Sequence, residues 1–426
     1  MDGAALDTDT SGALVKVDVD ELTRGLYYCM HCSLCKAVLP SEVGSDRFSE
    51  VCPPGARYRF DAFFGSGRAG FYRAFFTGEF GFDESPRLPE VVYSCQNCGS
   101  CSISCRYTSA IGQVDLERAT EIMRARCVEE GLSPVEHSLM VQSMRQEDNV
   151  LGEPKAARGD WAEGLGLKDI NSEKAEILFH AGCRYSYDAD LRSAVRDAAG
   201  VLVAAGLDVG IAGKDEACCG GRAYEVGYQG ELVKYADDMA SRIRASGATT
   251  VVTPCADCYY TFRRLFPLVG RPLEVEVLHI NEMIARLIAK GVITFKEMVP
   301  LRVTYHDPCH IGRKMYPEFM YEVPRLILGE IPGVELVEME RIRDCTWCCG
   351  AGGGVLEAYP EFNDWTAGER VAEALSTGAD ALVSSCPWCE RNFIDAVAGA
   401  GAGMHVYDVV ELVGAAMGGV QDGNRK

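Results

Sequence analysis

The chain has 426 residues, 47% of them hydrophobic, enough for two to four compact units with ordinary apolar cores. Its formal net charge of −20 would repel nucleic-acid phosphates, so no nucleic-acid partner is expected. Cores of this size need no disulfide scaffold, and the acidic start Met1-Asp2-Gly3 has no basic segment followed by an apolar run. The 20 cysteines are therefore expected to be thiols in a reducing, cytoplasmic setting, where metal or redox chemistry explains them best.

Residues 1–20 are polar and rich in aspartate, and are expected to form a loose arm. The next unit, 21–151, carries its cysteines as Cys29-x-x-Cys32-x-x-Cys35 with Cys52-Pro53, then Cys95-x-x-Cys98-x-x-Cys101-x-x-x-Cys105. Thiols at i, i+3 and i+6 cover an arc of roughly 120° on a helix, and a slightly loosened turn converges them on one metal centre. A zinc ribbon is the alternative for these eight, although triple runs at this spacing are uncommon in such ribbons. Cys127, in a helix predicted over 116–130, belongs to neither run and is expected to be a small buried hydrophobe. Residues 152–175, with Pro154, Gly159, Gly164 and Gly166 among charges, read as a linker crossed by few contacts.

Beyond the linker the pattern is α/β. Strands are predicted at 176–180 and 249–253, with helices over 189–205 and 231–245 between them. The apolar stretch from Ala198 to Ala212 is too short, and broken by Asp208, to span a bilayer. A second copy follows, with strands at 301–306 and 381–384. Each copy has a phenylalanine four residues after its last cysteine, Phe262 and Phe393, and each closes on a related segment, 277–282 and 406–411. The copies are delimited as 176–297 and 298–426.

The duplication is clearest in the thiols. Cys183, Cys218-Cys219-Gly220 and Cys255-x-x-Cys258 recur as Cys309, Cys348-Cys349-Gly350 and Cys386-x-x-Cys389. The intervals are 34 and 38 residues before the adjacent pair, then 35 and 36 residues after it. Thiols repeated at matched spacing among loosely repeated neighbours point to ligands. In both copies the first cysteine and the Cys-x-x-Cys follow predicted strands, where open α/β sheets place their sites, which suggests an exposed, shared rim. Neighbouring side chains diverge in a strand or a helix, so an adjacent pair reaches one centre only from an irregular turn, which the following glycine permits. Five thiolates exceed what a tetrahedral zinc or a four-thiolate cluster takes, so a larger or unusually shaped iron-sulfur centre fits better.

This doubled pattern resembles the CCG domain of heterodisulfide reductase, and with the N-terminal unit the chain is similar to the fused, D-type chain of that family. The resemblance implies an α-helical ferredoxin-like N-terminal domain with two cubane 4Fe-4S clusters. It further implies a duplicated α/β, Rossmann-like CCG domain with two noncubane 4Fe-4S clusters, each held by one five-cysteine set. In two-cluster ferredoxins the fourth cysteine of each run ligates the other cluster. By that rule Cys29, Cys32, Cys35 and Cys105 form one site, and Cys95, Cys98, Cys101 and Cys52 the other, although 16 residues separate Cys35 from Cys52 and Arg106, not proline, follows Cys105. The implied activity is reduction of a disulfide by electrons that pass from the cubane to the noncubane sites. The alternative is a non-catalytic relay, as in related iron-sulfur subunits of organic-acid or glycerol-phosphate dehydrogenases and of class II benzoyl-CoA reductase. The implied setting is a larger complex with a flavoprotein, an iron-sulfur protein or a membrane cytochrome b, docked on the membrane only through a partner.

Some polar residues stand beside these sets. His180 and His306 lie three residues before the first cysteine of each copy, and His310 follows Cys309; strand-end histidines are usually hydrogen-bonded structural groups, with proton donation the sharper alternative. Arg184, Arg313 and Lys314 are expected to be solvated, or else to bind an anionic substrate. Cys345 could reach the second set through Cys345-x-x-Cys348, or serve as a separate redox-sensitive thiol. Gly350-Ala-Gly-Gly-Gly354 lacks the ending of a phosphate loop and is expected to let backbone pack closely near a cluster. The ten cysteines of the doubled unit are expected to need nothing from the N-terminal one.

Overall fold

A computed structural model describes residues 19–38, 44–108 and 114–419. The arm expected over 1–20 therefore lies outside the described residues except for Val19 and Asp20. Among the described residues nine strands pair in parallel in two sheets. The first sheet has the order β1-β3-β2-β4-β5, from β1 (Lys168–Asp169), β2 (Ile177–Phe179), β3 (Val209–Ile211), β4 (Thr250–Thr253) and β5 (Glu276–His279). The second has the order β7-β6-β8-β9, from β6 (Leu301–Tyr305), β7 (Val334–Leu336), β8 (Ala381–Ser384) and β9 (His405–Asp408). Without β1 the two orders are the same, so the α/β reading and the duplication hold. The central strands Ile177-Leu-Phe179 and Ala381-Leu-Val-Ser384 are buried throughout, as parallel strands covered on both faces must be.

This order positions the thiols. From β2 the chain turns to β3 on one side, and from β4 to β5 on the other, so a crevice opens at the carboxyl ends of β2 and β4. Cys183 follows β2, Cys255 follows β4, and Cys218-Cys219 follow β3. In the second sheet Cys309, Cys386 and Cys348-Cys349 hold the same places after β6, β8 and β7.

The two repeats pack with exchanged roles. Helix Arg192–Ala204 of the first lies on helix Val409–Ala416 of the second, while helix Ile280–Ala289 of the first lies on helix Glu322–Glu330 of the second. Corresponding helices meeting reciprocally is the signature of a pseudo-twofold axis. Val195, Leu202, Val410 and Val413 are fully buried there. Each contributes roughly 1.5–3 kcal/mol by leaving water.

The N-terminal unit is helical. Its own core gathers Tyr72, Val92, Tyr93, Met123 and Cys127, so Cys127 is the buried apolar residue expected. Its last helix, Val135–Glu147, instead lends Met140, Val141 and Met144 to the core of the first repeat, alongside Leu232 and Tyr235. The segment 152–175 is no loose linker. It supplies β1, buries Trp161 against Phe179 at 5.6 Å between ring centroids, and sends Arg158 into the first cysteine set. No helix among the described residues is long and apolar enough to cross a membrane.

Candidate metal centres

None of the 20 cysteines forms a disulfide. In the first repeat Cys218 is hydrogen-bonded as donor to Cys183 and Cys219, and Cys258 as donor to Cys219 and Cys255, so all five thiols form one continuous cluster. The adjacent pair turns as the sequence requires. Gly220 takes φ +83°, and its N–H donates back to Cys218 Sγ at 3.3 Å. Gly350 repeats this with φ +104° and a 3.4 Å bond to Cys348 Sγ. A side chain at Gly350 would also run into the backbone oxygen of Asn363, so glycine is required twice over.

Around Cys183 the charges are arranged closely. Arg158 Nη1 and Nη2 stand 3.6 and 3.7 Å from its Sγ, and the same guanidinium pairs with Glu216 through Nε at 3.1 Å and Nη2 at 2.8 Å. The Glu216 carboxylate also accepts the N–H groups of Ala181 and Gly182 at 3.0 and 3.1 Å, fixing the loop that delivers Cys183. The Cys183 pKa falls to about 6 because Cys218 donates to it, with burial opposing and Arg158 helping. The second repeat does the same job from the other end of the loop. Asp307, two residues before Cys309, accepts Thr346 Oγ1 at 3.1 Å and the N–H of Arg343 at 2.8 Å, and pairs with Arg325 at 2.6 Å.

In the second repeat hydrogen bonds join Cys348 to Cys349, Cys349 to Cys389 and Cys389 to Cys386, while Cys309 stands as a charged neighbour of Cys348 and Cys349. Hydrogen bonds from Cys348 and Cys389 lower the Cys349 pKa to about 6, as Cys218 and Cys258 lower that of Cys219. His306, Cys349 and Cys389 bring potential ligand atoms within 4.8 Å of one another. His306 accepts from Arg370 Nε at 3.2 Å and meets Phe393 edge-on at 4.8 Å. Its counterpart His180 meets Phe262 edge-on at 5.0 Å, lies 3.7 Å from Glu216, and leaves Nε2 without a partner.

The two sets face each other. Across the pseudo-axis Cys386 acts on Cys255 as a like charge and, after burial, helps to raise its pKa. Asp257, between Cys255 and Cys258, reaches to 3.9 Å from Cys386 Sγ and 2.9 Å from His310 Nδ1. Trp388, the matching residue of the second Cys-x-x-Cys, lies under Arg222 at 3.9 Å and Arg184 at 4.4 Å from its ring centroid. His310 Nε2 and Lys314 Nζ both meet Glu225, at 2.8 and 2.5 Å, and Lys314 also pairs with Glu117 of the N-terminal unit at 3.2 Å.

In the N-terminal unit Cys29, Cys32, Cys35, Cys101 and Cys105 line a cavity of about 130 Å³. A smaller cavity of about 20 Å³ is lined by Cys52, Cys95, Cys98 and Cys101. The two groups of four expected from the ferredoxin rule thus each share one cavity, with Cys101 in the wall between them. Burial pushes the Cys52 thiol up to about 12, while Arg68 beside it works the other way. Cys98 hydrogen-bonds to Cys348, so this unit abuts the second repeat. The Gly-rich stretch makes that approach possible, since side chains at Gly352 and Gly353 would strike the backbone oxygens of Gln96 and Cys95.

Several expectations change. Nine of the ten cysteines in the doubled sets are buried, so there is no exposed rim; helices and loops from both repeats and the N-terminal unit close over the strand ends. Arg313 and Lys314 are 2% and 7% exposed and are not surface groups. Cys345 ends a short turn packed on helix Ser100–Thr108, between the second repeat and the N-terminal unit. Sequence reasoning missed Arg158, Glu216 and Asp257. Glu216 could have been found as the acid two residues before an adjacent cysteine pair, but Arg158 lies 25 residues from Cys183 and gave no local signal.

The donor sets suit iron-sulfur centres. Soft thiols in buried groups of five, free of disulfides and sharing protons among themselves, are primed to exchange those protons for a metal. Comparison with known proteins agrees with this chemistry. The family model of the cysteine-rich CCG domain matches residues 177–263 and 303–394. The D-type subunit of the dihydromethanophenazine:CoB–CoM heterodisulfide reductase of Methanosarcina acetivorans is 32% identical over 97% of this chain and 98% of its own length. The B-type subunit of the CoM/CoB fumarate reductase of Methanothermobacter marburgensis is 31% identical over 81% of this chain and 67% of its length. The EtfAB:quinone oxidoreductase of Syntrophomonas wolfei is 26% identical over 77% of this chain and 47% of its length. With both five-cysteine sets intact and the match running through the N-terminal runs as well, the chain belongs to the D-type family of heterodisulfide reductase subunits, which are iron-sulfur oxidoreductase components.

Proposed function

We propose that this chain reduces a disulfide at the junction of its two CCG repeats, with electrons delivered through the N-terminal unit. The reading assigns Cys29, Cys32, Cys35 and Cys105, and Cys52, Cys95, Cys98 and Cys101, to two cubane 4Fe-4S clusters of a ferredoxin-like domain. It assigns each five-cysteine set to one noncubane 4Fe-4S cluster. When bound, such clusters supply one-electron steps and an iron face for sulfur. The observation that carries the proposal is the approach of two complete sets, where Asp257 of the first Cys-x-x-Cys comes within 3.9 Å of Cys386 Sγ. Two electrons and two protons convert one disulfide into two thiols, and two facing one-electron centres match that count. The contact of Cys98 with Cys348 supports entry of electrons into the second repeat first.

The remaining residues have definable tasks in this reading. Glu216 and Asp307 hold the loops that present Cys183 and Cys309. Arg158 steadies the Cys183 sulfur, and hydrogen bonds to a ligating sulfur raise a centre's potential. Cys32 is exposed beside Tyr27, Tyr28 and Met30, and this face suits a redox partner such as a flavoprotein, another iron-sulfur protein or a membrane cytochrome b.

Protein purified without air should hold about 16 irons with matching acid-labile sulfide, four for each cluster. Reduced protein mixed with a heterodisulfide of two anionic thiols should release both thiols in a single turnover. Added thiol should alter the electron paramagnetic resonance of the oxidised protein. A second reading, a pure electron relay, is favoured by the burial of nine of the ten CCG cysteines. Spectra indifferent to every thiol and disulfide, with rapid electron exchange to a flavoprotein, would decide for the relay.

A further inference from the structure

Arg313 occupies the boundary between the N-terminal unit and the second repeat, and it is 2% exposed. Its Nε donates to the backbone oxygen of Cys98 at 3.1 Å, and its Nη1 to that of Asp344 at 3.2 Å and that of Thr346. Among the described residues it pairs with no carboxylate, whereas the buried Arg158, Arg325 and Arg370 each do. A buried cation without an anion is strongly disfavoured, so something nearby must answer its charge. Its backbone partners place it beside the cysteine sets, at Cys98 itself and at Thr346 two residues before Cys348. Burial works against its charge, yet Cys98, Cys309 and Cys348 push its pKa up. Cys98 and Cys348 themselves touch.

We propose that Arg313 is the shared counter-charge of the two sulfur centres that meet at Cys98 and Cys348, and that it raises both of their reduction potentials together. This rests on the cluster assignment made above. An added electron makes a thiolate-bound centre more negative, and a fixed guanidinium close to both makes that addition more favourable at each. In the step concerned, one electron leaves the centre of Cys52, Cys95, Cys98 and Cys101 and enters that of the second repeat. The first is oxidised by one electron and the second reduced by one, with no proton and no third reactant. Because one charge serves both sides, it moves the two potentials in the same direction and alters the gap between them little.

Two other buried arginines beside sulfurs provide contrasts. Arg68, 2% exposed and hydrogen-bonded to the backbone oxygens of Phe63 and Val91, faces Cys52, Cys95 and Cys101 but no cysteine of the repeats. Arg158 serves Cys183, but Glu216 neutralises it. The fourth residue after Cys183 is Tyr187, so the first repeat has no equivalent of Arg313.

The test is a redox titration of the full chain, followed by electron paramagnetic resonance, after iron and sulfide have been counted. Arg313→Met should shift two centres to more negative potential and leave the Cys183-set centre in place. Arg313→Lys, which keeps the charge, should shift the same two by less, and Arg68→Met should shift only the N-terminal one. Arg313→Met with full iron and unmoved potentials, or with a shift confined to one centre, would overturn the proposal. If Arg313→Met loses iron, Arg313→Gln, which removes the charge but keeps donors, decides, and unmoved potentials there, or a shift of the Cys183-set centre, would overturn it equally. Absence of iron and sulfide from the wild-type protein would instead refute the cluster assignment, whatever the variants do.

Discussion

Glu216 and Asp307 perform one task from opposite strand-end loops, each carboxylate satisfying the backbone of the other loop and each neutralised by an arginine. Removing one partner of such a buried pair strands the other charge, which costs about 3–5 kcal/mol. Glu216→Ala should therefore lower the denaturant midpoint strongly and release iron from the first repeat before the second, followed by unfolding curves and iron counts. A midpoint within error of wild type would show that Arg158 finds another anion. Cys127→Ser is the opposite case. Its thiol is fully buried among Tyr72, Val92 and Met123 and touches neither N-terminal cavity, so stability should fall by roughly 1 kcal/mol while iron content and spectra stay unchanged. Cysteine spacing by itself carries this distinction, because a ligand recurs in a pattern and a core thiol does not. It could not reveal Arg158 or Arg313, whose meaning comes from chains folding together over long separations.

Among the elements, helix Val135–Glu147 ties the N-terminal unit to both repeats. Its apolar face enters the core of the first, and His137 Nε2 hydrogen-bonds the backbone oxygen of Gly354 in the second at 2.8 Å. Burial lowers the His137 pKa to about 4, against an unfolded value near 6.5. Between those values the unfolded chain binds the extra proton, so this contribution is complete above about pH 6.5 and is lost as pH falls towards 4. It amounts to about 3 kcal/mol at most. Unfolding at pH 7.5 and pH 5.5 should show a loss of stability on acidification that His137→Gln, which keeps a donor for Gly354, makes shallower. Equal slopes in the two proteins would mean that His137 titrates freely. Strands β2, β4, β6 and β8 and the helices Arg192–Ala204 and Glu231–Ser246 were legible because their apolar patterns are continuous. β3 and β7 were not, since three residues such as Val209-Gly-Ile211 carry no period and owe their pairing to β2 and β6.

At the scale of the whole molecule the sequence divides more cleanly than the structure does. Composition marked 152–175 as a linker because glycine, proline and charge are common there, but those residues make turns between buried anchors: Arg158 on Cys183, Trp161 on Phe179 and β1 on β3. The doubled CCG unit is therefore not closed at Glu176. A chain shortened to begin there would lose the anchors of 152–175 and the apolar face of helix Val135–Glu147. It would uncover Leu232 and Tyr235 and strip the Cys183 sulfur of its guanidinium. Losing three large buried side chains from a core costs several kcal/mol, enough to unfold a marginal domain. A chain beginning at Ser133 keeps the helix, Arg158 and β1, and gives up the N-terminal cavities with the polar contacts that Cys98, Glu117 and Arg124 make to the repeats. The expected outcome is that the Ser133 form accumulates as soluble protein with about half the iron of the full chain, and that the Glu176 form is insoluble or iron-poor. Comparable iron and comparable denaturant midpoints in the two would show that the anchors contribute little, and the boundary read from composition would stand.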